Sequence, residues 1–153
     1  MARKKKQEKN KVVVHIPVFR RDVLVIFGNE DDTRRVLSEY CEEEEINELL
    51  EDFSFDTDGH MVYSEKFKFP FVWMPEKPKT AEETGTLVHE LFHASYAIFQ
   101  SIGNPLTPQS EEVFAYTLGY LTEKVKEWLI PSSSCKINCK INTKKQIKDE
   151  SKD

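Results

Sequence analysis

His89-Glu90-Leu91-Phe92-His93 places two imidazoles four positions apart with a carboxylate between them. On a helix, residues at that spacing share one face a turn apart, so both rings can reach a single cation. Neutral imidazole is a good zinc ligand, and a site with three protein ligands leaves its fourth position to water. A carboxylate beside that water can take its proton. On this reading His89 and His93 are metal ligands and Glu90 is the base.

Such a site needs a third ligand, and the next helical stretch, Ser110-Glu111-Glu112-Val113-Phe114-Ala115-Tyr116, offers carboxylates. It lies far enough downstream for one helix to finish and a second to return beside it. Glu111 and Glu112 point about 100° apart on a helix, so they compete for the role.

Together, the His89–His93 motif and Glu112-Val113-Phe114-Ala115 resemble the gluzincin pattern of zinc metallopeptidases, in which a downstream Glu in an E-x-x-A setting completes the site. The resemblance implies His89, His93 and Glu112 as Zn2+ ligands and Glu90 as catalytic base. Residues 80–126 are also similar to small HExxH proteins of tailed bacteriophages and bacteria. Their second helix carries a Glu-x-x-Ala-Tyr followed by glycine, as Glu112, Ala115, Tyr116 and Gly119 do here. The implied fold is α+β and zincin-like: a small, mostly antiparallel sheet packed on the HExxH helix, with a second helix carrying the third ligand. The implied activity is hydrolysis of a protein or peptide. Large secreted members of the family carry a propeptide and a substantial second subdomain that are missing here, which favours one specific intracellular target and a cytoplasmic setting in a bacterial or phage-infected cell.

The elements that must hold these residues are legible in outline. Thr80-Ala81-Glu82-Glu83 forms a capping box, after which a helix runs to about Ile102. Leu87, Leu91, Ala94, Ile98 and Ile102 make one apolar stripe; Val88, Phe92 and Phe99 widen it, so the helix reads as buried nearly all round. Gly103-Asn104-Pro105 stops it, and Thr107 with Pro108 starts the next. There Phe114, Leu118, Leu121, Val125 and Trp128 form a core stripe. Glu112, Ala115, Tyr116 and Gly119 form a different strip, whose small residues would let this helix approach the metal helix. Tyr116 reads as packed in the helix interface or as a donor to an oxyanion; His60 is a further candidate for that donor role.

Upstream, residues 11–28 hold two β-rich runs, with Pro17 placing the first at a sheet edge. His15 reads as structural. Asp31 or Asp32 caps a helix over Val36, Leu37 and Tyr40, and a kink or a second short helix follows near Glu42–Glu45. Asp56-Thr57-Asp58-Gly59 is a turn. Met61–Tyr63 and Phe67–Met74 read as one or two strands. Pro70 pushes the last toward an edge, where an extended peptide could add as a further strand. The alternative for Phe69, Phe71 and Trp73 is plain core packing.

Of 153 residues, 39% are hydrophobic and 32% charged, which fits one soluble domain with polar ends. The expected boundaries are a basic disordered arm at 1–11, a metallopeptidase domain at 12–131 and a lysine-rich disordered tail at 132–153. No apolar run approaches the roughly 20 residues that span a bilayer. His15, Pro17, Arg20 and Arg21 interrupt the first apolar run too early for a signal peptide. Three cysteines, an odd number, point to a reducing compartment; Cys135 and Cys139 read as bystander thiols. The net charge of −5 conceals a basic start and an acidic run from Glu39 to Asp52. The basic ends could touch nucleic acid, yet a solvated tail is the favoured reading. Two rivals remain: a binding protein that uses zinc only to join two helices, and a nucleic-acid-associated factor.

Overall fold

A computed structural model of the chain describes residues 10–64, 67 and 69–130. The expectations for residues 1–9, for the tail from 132 and for Cys135 and Cys139 lie outside the described residues. The described residues form an α+β fold with four strands in one mixed sheet and four helices. No helix among them is long and apolar enough to cross a membrane.

The sheet order is β1 (Lys11–Ile16), β2 (Arg21–Phe27), β4 (Phe71–Met74), β3 (His60–Val62). β1 pairs antiparallel with β2, and β3 antiparallel with β4. β2 and β4 pair in parallel, joined by a crossover that contains α1 (Glu30–Leu37) and α2 (Glu43–Leu50). Both central strands are buried on both faces, which is why they read as unbroken apolar runs. Val23, Val25, Phe27, Val72 and Met74 face α3 (Ala81–Ser101) and α4 (Glu111–Leu129). Leu24, Ile26, Phe71 and Trp73 face the opposite core, with Val36 and Leu37 of α1 and Ile46 and Leu50 of α2. Phe69, Phe71 and Trp73 therefore do pack in a core.

β1 lies at an edge as expected, although Pro17 falls in the turn after the strand rather than within it. β4 does not. Pro70 precedes the strand rather than lying in it, and the Pro70 carbonyl accepts a hydrogen bond from Leu24 N at 3.1 Å. The missing proline N–H costs the sheet nothing, and β4 is paired on both sides. The free edge beside the HExxH helix belongs to β3.

Two helix starts also differ from expectation. Asn29, not an aspartate, caps α1: its Oδ1 accepts from Asp32 N at 2.9 Å, directly after Gly28 turns the chain with φ 140°. Thr107, Pro108, Gln109 and Ser110 form a turn, closed by Ser110 N donating to Thr107 O at 3.0 Å, and α4 begins at Glu111.

α3 matches its signals at both ends. Thr80 Oγ1 accepts from Glu83 N at 3.1 Å, and a Glu83 carboxylate oxygen accepts from Thr80 N at 3.0 Å. Hydrogen bonds from the Lys79 and Thr80 amides hold the Glu83 carboxyl below its usual range. At the other end Gly103 adopts φ 70°, with Gly103 N donating to Gln100 O and Asn104 N to Phe99 O, both at 3.0 Å. That double closure needs a left-handed residue, which glycine supplies without strain. Between these caps Leu87, Leu91, Ala94 and Ile98 are buried against the sheet. The helix is not buried all round: Glu82, Gly85, His89, Phe92, Tyr96 and Gln100 form an exposed stripe.

Candidate metal centre

The exposed stripe of α3 is where the two histidines meet. His89 Nε2 and His93 Nε2 lie 3.0 Å apart, with the rings at 78° and centroids 4.7 Å apart. Two nitrogens bound to one tetrahedral zinc at about 2.0–2.1 Å sit roughly 3.3 Å apart. The pair therefore needs only a few tenths of an ångström of adjustment to share an ion. His89 is exposed and His93 half-buried, so an ion there would keep access to water.

Glu90 lies on the next side of the helix, turned toward β3, and is only 8% exposed. What covers it is Gly59, the last residue of the turn that leads into that strand. A methyl group at Gly59 would stand 2.9 Å from Thr86 Cγ2 and 3.1 Å from Glu90 Cγ, so only a residue without a Cβ lets β3 lie this close. The Asp56–Gly59 run was readable as a turn, but that its glycine touches the candidate base was not. The signal was present only in the DG dipeptide. Gly59→Ala is expected to displace the Glu90 side chain, lowering any turnover several-fold while bound metal is unchanged. Parallel measurements of turnover and metal content check it.

Phe92 carries the connection to α4. Its ring meets His93 edge-on at 5.8 Å and Phe114 at 5.1 Å, and Phe114 also meets Phe99 at 5.2 Å. Phe114, Thr117, Leu121 and Val125 thus form the inward face of α4. Glu112 is set about 200° around the helix from Phe114 and is exposed. Glu111, one turn before Phe114, lies nearer the side that faces α3 and is exposed as well. Among the described residues no three His, Cys, Asp or Glu side chains come together as a group that could hold a metal ion. The structure brings the His89 and His93 rings together; Glu90 stands on the adjacent side of α3, and neither it nor Glu112 joins them as a three-residue group.

The strip shared by Glu112, Ala115, Tyr116 and Gly119 is not the helix–helix contact expected of it. Ala115 is exposed, and a Cβ on Gly119 would meet nothing within 4 Å. A helix docks through one face, and the larger apolar side chains of the Phe114 stripe occupy it. Tyr116 is 72% exposed, so it is not packed in the interface. His60 pairs with Trp73 across the sheet and meets the ring of Phe53 at 5.0 Å, on the face away from α3, which removes it as an oxyanion donor. His15 sits on β1 with Nδ1 2.7 Å from Asp22 Oδ1, the cross-strand pair expected of a structural residue.

Compared with protein-family models, with curated proteins and with solved structures, the chain matches none.

Proposed function

We propose that this protein is a zinc-dependent metallopeptidase acting on a specific protein or peptide, and the observation that carries this reading is the convergence of His89 Nε2 and His93 Nε2 to 3.0 Å beside a largely buried Glu90. His89 and His93 would hold the ion, and a carboxylate from the first turn of α4 would complete it. Glu112 is the candidate by resemblance to gluzincins, with Glu111 its competitor. Bound zinc supplies Lewis-acid polarisation of a carbonyl and a water with pKa about 7. Glu90 accepts the proton of the attacking water and returns it to the leaving amine. β3 presents the sheet edge beside Glu90, where an extended substrate can add by main-chain hydrogen bonds.

The direct test is elemental analysis of the purified full chain and its variants. One zinc per chain is expected in the wild type, with occupancy lost in His93→Ala. Glu112→Ala is expected to weaken zinc affinity by about 10-fold or more, with Glu111→Ala close to wild type. The reverse order would assign the ligand to Glu111, and a wild type free of zinc would end the reading.

The exposed position of Glu112 favours one alternative, a zinc held by the two histidines with no catalytic role. A cytoplasmic setting belongs to this proposal under either reading.

A further inference from the structure

On the far side of the sheet from the histidine pair, a groove of about 900 Å3 opens between α2 and the described residues Val62, Tyr63, Ser64, Phe67 and Phe69. Glu45 and Glu48, three positions apart on one face of α2, and Asp52 just past its end stand along one wall. Tyr63, Phe67 and Phe69 form the other. Acidic groups opposite aromatic rings suit a long cationic side chain, whose stem packs on the rings while its head meets the carboxylates.

The chain itself demonstrates that chemistry at the same groove. The Lys11 ammonium pairs with Glu39 and stands 5.1 Å above the Tyr40 ring, and both partners line the groove. The Lys11 side chain is only 8% exposed there. Burial first, and then the charges of Glu45, Glu42 and Glu43, push the nearby Cys41 thiol above its usual range.

β3 joins this groove to the candidate site. Gly59, just before the strand, lies against Glu90, whereas Val62 at its end and Tyr63 and Ser64 just beyond it line the groove. A strand rises about 3.3 Å per residue, so the two places are roughly 10–16 Å apart along the sheet edge. We propose that the groove is a specificity pocket for extended peptides: it takes a Lys or Arg side chain about three to five residues from the bond held beside Glu90. The position of that bond rests on the peptidase reading; recognition of the cationic side chain does not.

The experiment uses the full chain carrying Glu90→Gln and two fluorescein-labelled decapeptides of alanine and serine, one bearing a Lys-Lys pair and the other Gln-Gln. Anisotropy at low salt is expected to show the Lys-Lys peptide bound about tenfold tighter, with the difference shrinking as salt screens it. In Glu48→Gln/Asp52→Asn the difference is expected to fall below about threefold, with circular dichroism unchanged because both residues are exposed. Glu48→Lys/Asp52→Lys is expected to prefer a Glu-Glu peptide instead. Equal binding of both peptides, or a preference untouched by these variants, overturns the proposal. Carbodiimide cross-linking should join the peptide lysines to Glu48 or Asp52; cross-links to the groove from the chain's own Lys4, Lys5, Lys6 or Lys9 alone would overturn it in favour of the basic arm as occupant. A chain that discriminates the peptides without zinc or turnover fails the peptidase reading alone. A chain that cleaves without discriminating fails the groove alone.

Discussion

Glu90→Gln is expected to lower peptide turnover by about 10²–10⁴-fold while zinc stays at the wild-type level. The amide is nearly isosteric with the carboxylate, so its close approach to Gly59 is kept. It cannot accept the proton of an attacking water. The histidine pair is untouched, because Glu90 is a neighbour of the ion and not a ligand. Stability should not fall, since the side chain keeps its size and shape at a position only 8% exposed. Turnover of a peptide library followed by mass spectrometry, with metal content and thermal melting measured on the same preparations, separates the outcomes. Wild-type turnover in the variant would eliminate Glu90 as the base, and retention of function with zinc bound would favour the purely structural site. Loss of zinc would instead make Glu90 a ligand.

What could be read in advance divides by the range of the interactions concerned. The ends of α3 were legible because Thr80, Glu83 and Gly103 act on amides and carbonyls within a few residues of themselves. The α+β class followed from the contrast between β-rich runs and the helical stripe of Leu87, Leu91, Ala94 and Ile98. The place of β4 was not legible, because it depends on which strand the Pro70 carbonyl meets, and Leu24 lies across a crossover. In the site, the two histidines share a helix, so their spacing alone brings them together. Glu112 stands on another helix, and its direction depends on how α4 is rotated when Phe114, Leu121 and Val125 sink into the core. The contact of Gly59 with Glu90 joins a turn to a helix by tertiary packing alone, which no local pattern encodes.

The largest effect on stability is expected at Trp73. Its side chain is 1% exposed, and its indole Nε1 donates to the Gly28 carbonyl at 2.8 Å. Phe53 and Phe55 meet the ring edge-on at 5.4 and 5.2 Å. In the sheet Trp73 sits between Ile26 of β2 and His60 of β3, so it fixes both neighbours of β4 at once. Trp73→Ala should cost about 3–5 kcal/mol through the lost burial and the cavity left behind. Against a total of roughly 5–15 kcal/mol for a domain, that is enough to unfold a marginal one. Trp73→Phe should cost less, because most of the volume stays, but it leaves the Gly28 carbonyl without its donor, a loss of about 1–3 kcal/mol. Urea unfolding of the three proteins checks the order. The site should feel the change before the fold does: the Trp73 carbonyl borders the space beside Gly59, and pairing of Trp73 with His60 holds the preceding Gly59 against Glu90. A Trp73→Ala protein that unfolds within about 1 kcal/mol of wild type would show that β3 is anchored by something other than this residue.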